Sequence, residues 1–402
     1  MLRFRKFCHF SFDPPPLKGL CTISHCWRTE KKLQITNANS SVPRMISSLR
    51  QKALAWLVQL PKRQQALVQA ACDSEAKARV AWRAWLSTHD IDAADWQDHK
   101  LLALIAQRLG YIDPDNPLRG RLRGLSKMHW TLSQLSVREA LDAVDALLRA
   151  DMDVMLLKGA ALDASGLCLP GPRISGDLDI LVRRGDFARS LHTLIDHGWQ
   201  MKNRSLKVEM VERIRPGMNL YRGEQGDIDV HHQPIHAPML SDGQLAELWS
   251  RAQQLEWLGR KIFVPSLEDQ FLINAVHACR SSAKAPSSPL WPINLSILAQ
   301  SGKLDFDVIA KHGRGWTAGA CLEAATAHVR SLPDQARRCV LAQRPSVLSV
   351  LLLLAARMGT LPRTLLLACV KILAPRVKFF ELPNAAYYVR RWLSKRLRYV
   401  TR

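Results

Sequence analysis

Apolar side chains recur at helical spacing in several stretches of this 402-residue chain, and gather into short strand-like runs in one central region. From Met45 onward, Leu49, Ala53, Trp56, Leu57 and Leu60 follow the three-to-four-residue repeat that lines one helix face. Trp82, Trp85 and Leu86 form a second stripe. Leu101, Leu102, Leu104, Ile105 and Leu109 form a third, closed by Gly110 and followed by the turn Asp113-Pro114-Asp115-Asn116-Pro117. Leu132, Leu135, Leu141, Val144 and Leu148 extend a fourth. Together they predict a helical lobe over residues 45–150. The pattern changes at Asp153. Val154-Met155-Leu156-Leu157 is a short apolar run ended by Lys158-Gly159, as a buried strand entering a turn would be. Leu178 to Val182 is a second strand, Phe187 to His197 a helix stopped by Gly198, and Ile228-Asp229-Val230 ends a third strand after the Gly223–Gly226 turn. This rhythm predicts a small α/β core over residues 151–264. Beyond Pro265 the helical repeat returns, with Ser266 and Asp269 spaced as a helix cap. Arg280 to Pro292 reads as a loop, and Val347–Ala356 and Leu365–Leu373 as core helices of a basic C-terminal lobe over residues 265–402. The expected class is α+β: a small mixed sheet flanked by N- and C-terminal helical lobes.

Residues 1–44 lack any period, are rich in Pro, Ser, Thr and Asn, and carry only Asp13 and Glu30 as acids. They read as a disordered leader or a mis-assigned start. The composition, 47% hydrophobic and 23% charged, is that of a globular protein. A net charge of +22 favours anionic partners, among them nucleic acid, nucleotides and lipid headgroups. Much of the excess sits in Arg390, Arg391, Lys395, Arg396, Arg398 and Arg402. No apolar run is long enough for a membrane span and no secretory core precedes Pro14, so a cytoplasmic protein is expected. The nine cysteines are scattered singly, which fits a reducing compartment. Cys8, His9, Cys21, His25 and Cys26 lack the paired spacing of a structural zinc site.

Candidate chemistry is concentrated in the central region. Side chains alternate along a strand, so Asp177 and Asp179 face one side of it. Crowded carboxylates repel unless a cation lies between them, and such hard oxygen ligands suit Mg²⁺. Asp229 offers a third carboxylate from a neighbouring strand. Small residues after a strand, here Gly159 and Ala160, let a phosphate approach the backbone, with Lys158 adding positive charge. The stretch is neither a Walker loop nor a Gly-x-Gly-x-x-Gly turn, which excludes both nucleotide folds those motifs define. His231, His232 and His236 show no transition-metal spacing, and His231 reads as a neighbour of the site. No Gly-x-Ser-x-Gly anchors hydrolase chemistry.

Leu157-Lys158-Gly159, then Arg173 before Asp177-Leu178-Asp179, then Asp229-Val230-His231, resembles an uncharacterised bacterial nucleotidyltransferase family of the DNA polymerase β-like superfamily. Arg173 to Asp179 is also similar to the matching stretch of AbiEii-type toxin nucleotidyltransferases. The resemblance implies transfer of a nucleoside monophosphate from an NTP to a hydroxyl acceptor, with release of pyrophosphate. It assigns two Mg²⁺ ions to Asp177, Asp179 and Asp229 as metal-binding and catalytic residues. Lys158, Gly159, Ala160, Arg173 and Ser175 would bind the nucleotide. The acceptor is left open among small molecules, RNA and protein. Two departures stand out: Gly159 is followed by Ala160 rather than Gly or Ser, and Trp291-Pro292-Ile293-Asn294 ends in Asn where the family often has Asp. Two other readings accompany this one: a toxin or defence enzyme modifying tRNA or protein, and a noncatalytic cationic module for nucleic acid or an anionic membrane.

Overall fold

The computed structural model describes residues 41–167, 177–204, 206–235, 239–279, 288–329, 331–342, 344–357 and 366. The chain divides into the units Met1–Leu49 and Arg50–Arg402. Of the first, only the opening of helix α1 (Ser41–Leu57) is described, and that helix starts ahead of Met45. The cysteine–histidine group near the N-terminus, Arg173, Ser175, His236 and the basic tail from Arg390 lie outside the described residues.

Helices α2 (Lys62–Cys72), α3 (Glu75–Leu86) and α4 (Trp96–Ile112) follow α1, and α5 (Arg119–Arg149) is 31 residues long. Asp95 caps α4, its carboxylate accepting from the backbone N–H groups of Gln97 and Asp98. Helix α5 opens well before the Leu132 stripe because its first turns carry polar and basic residues, which hide the period. Its second half is clearly amphipathic, with Ala140, Ala143, Val144 and Leu147 buried one turn apart.

A sheet of seven strands then forms: β1 (Val154–Leu156), β2 (Leu178–Val182), β3 (Gln200–Met201), β4 (Gly217–Arg222), β5 (Gly226–His231), β6 (Gln253–Trp257) and β7 (Arg260–Val264). Its order is β3-β4-β5-β2-β1-β7-β6. The β2–β5 and β1–β7 pairs are parallel, and the rest antiparallel. Helix α6 (Lys158–Ala164) leaves directly from β1, and α7 (Phe187–Asp196) ends before Gly198, whose φ of 83° needs glycine. Helices α8 (Val208–Ile214) and α9 (Asp242–Ser250) precede β4 and β6, respectively.

The C-terminal helices are α10 (Leu267–Ala278), α11 (Trp291–Gln300), α12 (Phe306–Gly315), α13 (Gly319–Thr326), α14 (Asp334–Ala342) and α15 (Val347–Arg357). Ser266 caps α10 by accepting from the Asp269 N–H. The expected loop to Pro292 is shorter than predicted, because α11 begins at Trp291 with Pro292 in its first turn, where the missing N–H goes unused. Among the described residues no single helix is long and apolar enough to cross a membrane.

Two large cores hold the described residues together, beside a small cluster at Leu352 and Ala355. One packs Ala143, Val144 and Leu147 of α5 against Val154, Leu156, Ile180, Val182 and Val230 on one sheet face. The other joins Leu67, Trp82, Trp85 and Leu101 to Leu272, Trp291 and Leu322, and reaches Met155 and Leu181 of the sheet. Arg50 bonds Glu323 at 2.9 Å and His328 Nε2 lies 3.0 Å from the Ala55 carbonyl, so the N- and C-terminal helices also share polar contacts.

Candidate active site

Parallel pairing of β2 and β5 sets Asp179 directly opposite Asp229. Alternation along each strand does the rest: Leu178, Ile180, Ile228 and Val230 enter the apolar core, while Asp179, Asp229 and His231 share the other face. All three are buried, and they offer ligand atoms within 4.8 Å of one another. His231 Nε2 lies 3.2 Å from Asp179 Oδ1 and 3.1 Å from Asp229 Oδ2. Both neighbours are acceptors, so Nε2 carries the proton.

Lys158 enters from the strand-to-helix turn. Its φ of 49° is a left-handed conformation that few side chains adopt, and it brings the ammonium onto Asp179 Oδ1. Gly159 and Ala160 form the first turn of α6 beside it. Asp177 lies just before β2, where it keeps an exposed surface.

The carboxyls are driven apart. The Asp179 charge pushes Asp177 up to about 6. Burial works against ionising Asp179, but the Lys158 charge and the His231 contact outweigh it and hold this carboxyl far below its usual range. Asp229 is likewise lowered: burial opposes, and the His231 charge prevails. Burial also disfavours a charge on His231, yet the Asp229 charge and both carboxylate hydrogen bonds raise its pKa. The Lys158 ammonium and the His231 contacts thus favour the ionised forms of Asp179 and Asp229, while Asp177 is left as the readily protonated member.

The donor set fits a hard divalent cation. Carboxylate oxygens on adjacent strands are the ligands Mg²⁺ favours. His231 fits less well as a ligand, since a metal-bound imidazole ordinarily donates its other N–H to a partner. Its Nδ1 is buried without one among the described residues. It serves instead as a hydrogen-bond donor that holds the two carboxylates together. Gly217, opposite His231 in the ladder, makes room for it: a Cβ there would lie 2.5 Å from the Val230 carbonyl oxygen and 2.9 Å from His231 Nδ1.

His232 points the other way, its Nε2 2.7 Å from the Arg215 carbonyl and its ring against Phe187. Burial depresses its pKa to about 4, and it is a core residue. Asn294 donates to Asn274 at 3.0 Å, a contact that ties α11 to α10. Three residues near the site were not singled out from the sequence. Asp227 extends the carboxylate row one alternation before Asp229 and pairs with Lys202. Burial raises its pKa and Lys202 opposes the rise. Lys100, on α4, is lowered by burial and held up by the charge of Asp177. Asp-x-Asp-x-His over 227–231 was a readable signal, whereas Lys100 comes from another lobe and had none.

A family model described as uncharacterised nucleotidyltransferase matches residues 94–333. A search of the curated proteins returns no match. Among solved structures, the lincomycin-bound lincosamide antibiotic adenylyltransferase LnuA is 18% identical, with a TM-score of 0.28, over 40% of this chain and 94% of that one. The antibiotic-resistance factor ANT(2'')-Ia is 14% identical, with a TM-score of 0.34, over 49% of this chain and 99% of that one. Neither likeness is close enough to transfer chemistry. The family match spans more than half of the chain and contains the whole carboxylate face, and on it this protein belongs to the uncharacterised nucleotidyltransferase family.

Proposed function

We propose that the protein transfers a nucleoside monophosphate from an NTP to a hydroxyl of an acceptor and releases pyrophosphate. The observation that carries this reading is the Asp179–Asp229 register, with the Lys158-Gly159 turn beside it. Asp177, Asp179 and Asp229 are the residues that would hold Mg²⁺. When bound, two such ions supply charge neutralisation for the attacking and leaving oxygens of an in-line displacement. The acceptor oxygen forms a bond to the α-phosphorus as the bond to the pyrophosphate oxygen breaks. Asp229 accepts the hydrogen bond of the attacking hydroxyl and orients it. Its lowered pKa suits it to passing the hydroxyl proton on to solvent water rather than keeping it. His231 fixes the rotamers of both carboxylates. Lys158 offsets their charge, and Gly159 and Ala160 are assigned to the phosphates by their place in the turn after β1. Arg173 and Ser175 are assigned to the phosphates by their place before Asp177 in the motif. The singly scattered cysteines are in keeping with action in the cytoplasm.

The test is incubation of the full chain with each α-labelled NTP, Mg²⁺ and cell extract, beside Asp179→Asn and Asp229→Asn. Label transferred by the wild type and lost in both variants supports the reading. Absence of both transfer and Mg–NTP binding in the wild type overturns it in favour of a noncatalytic module.

A further inference from the structure

Beside the carboxylate face lies a cavity of about 460 Å³ that the chemistry above does not use. Its floor is the β4–β5 turn with Asp227, and its walls are Trp96 and Lys100 of α4 and the middle of α5 from His129 to Ser136. We infer that this cavity is the acceptor site, and that the acceptor is a small hydroxyl-bearing ring compound of little net charge. The inference rests on the nucleotidyl-transfer reading and adds the substrate class to it.

Position comes first. In the sheet order, β1 with its Lys158-Gly159 turn flanks β2 on one side, and β5 followed by β4 flanks it on the other. An in-line displacement needs the entering oxygen and the departing pyrophosphate on opposite sides of the phosphorus. Phosphates at the β1 turn therefore leave the β4 side for the acceptor, which is where the cavity opens.

The lining supplies the chemistry. Trp96 is 49% exposed, an indole face open to a ring. His129 packs against it at a tilt, with ring centroids 4.5 Å apart, is only 2% exposed, and has no hydrogen-bond partner for Nε2 among the described residues. A buried nitrogen of this kind is costly unless something meets it. Burial, with the charges of His99 and Lys100, lowers its pKa to about 4, so a neutral imidazole faces the cavity at neutral pH. Ser133 and Ser136 add hydroxyls, and Tyr221 a second ring. The charged residues balance, Lys100 and Lys202 against Glu224 and Asp227, which disfavours a polyanion. The volume is in the range of small-molecule sites, roughly 300–1,000 Å³.

The experiment offers the full chain Mg²⁺, α-labelled NTPs and cell extract split by ultrafiltration into small molecules and macromolecules. Label is expected in the small-molecule fraction. At limiting ultrafiltrate, Trp96→Ala and His129→Leu should each lower transfer about tenfold, while Mg–NTP affinity stays within about twofold. Label confined to macromolecules overturns the inference, as does transfer unchanged by both substitutions. A parallel loss of NTP affinity would make the cavity a nucleotide site instead and also overturn it. Failure of the wild type to bind Mg–NTP sinks the parent reading separately. The cavity keeps its own test, since ultrafiltrate alone should slow amide exchange over residues 96–100 and 221–227 in the wild type but not in His129→Leu. No slowing would show that nothing in that fraction binds there and would overturn the inference.

Discussion

The two faces of the β2–β5 pair are made from the same ten or so residues and do opposite work. On one, Leu178, Ile180, Val182, Ile228 and Val230 are at most 2% exposed and close a dry core with α5. On the other, Asp179, Asp229 and His231 are also buried but satisfy one another through charge and hydrogen bonds. One residue of register separates the two, so the pairing that drives hydrophobic burial also sets the carboxylates opposite each other. The apolar face supplies the stability that the polar face spends on holding like charges close.

That division has a direct test on the polar side. Asp179→Asn should lower Mg-dependent transfer by roughly 10³-fold, the scale of losing a preorganised electrostatic group. It also leaves Lys158 and His231 facing fewer negative charges, so urea denaturation of the variant should still be cooperative but begin earlier. Transfer at wild-type rates would remove Asp179 from the chemistry.

Ile180, one residue along and fully buried on the other face, should behave in the reverse way. Ile180→Ala opens a cavity against α5 and should cost about 3 kcal/mol in unfolding free energy. At temperatures where the variant remains folded, its Mg–NTP affinity should match the wild type. A variant that keeps its stability but loses the nucleotide would show that the two faces are not separable.

Gly217→Ala links them. Its Cβ would sit 2.5 Å from a backbone oxygen of β5, which cannot swing away as a side chain could, and 2.9 Å from His231 Nδ1. The β4–β5 ladder must spread, at about 2 kcal/mol, and His231 must shift with it. Both stability and transfer should fall together, measured by denaturant midpoint and by initial rate.

Much of this was legible before the structure. The α+β class and the strands closing before Lys158, at Val182 and at Val230 follow from alternation and turn residues, because both signals are local; a place for Asp229 on a strand neighbouring Asp179 was an expectation of motif order, not of any local signal. What local pattern could not carry was contact between distant segments. Lys100 and His129 come to the carboxylate face and its neighbouring cavity from helices, where no strand-like period points to them. Gly217 gave no signal either, since its role depends on the residue across the ladder. The helical starts at Ser41 and Arg119 were missed for a simpler reason: polar opening turns carry no apolar stripe.

The smallest expected effect is also the most diagnostic of how the polar face is balanced. Asp177 has a carboxyl pushed up to about 6 by the charge of its neighbour Asp179. The folded protein therefore takes up a proton that the unfolded chain, with a carboxyl near 3.8, does not. Stability should rise as pH falls through about 6, and the repulsion should be fully felt above it. Asp177→Asn removes the charge permanently. In chelator it should melt a few degrees higher than the wild type on the alkaline side, on the order of 2–4 °C, with the gain fading as the wild-type carboxyl protonates. Adding Mg²⁺ should reverse the order, because a cation held by the carboxylates stabilises the wild type by mass action and the variant less. Melting curves that coincide at every pH and metal concentration would mean that Asp177 stands apart from the row, leaving Asp179 and Asp229 to carry the cation alone.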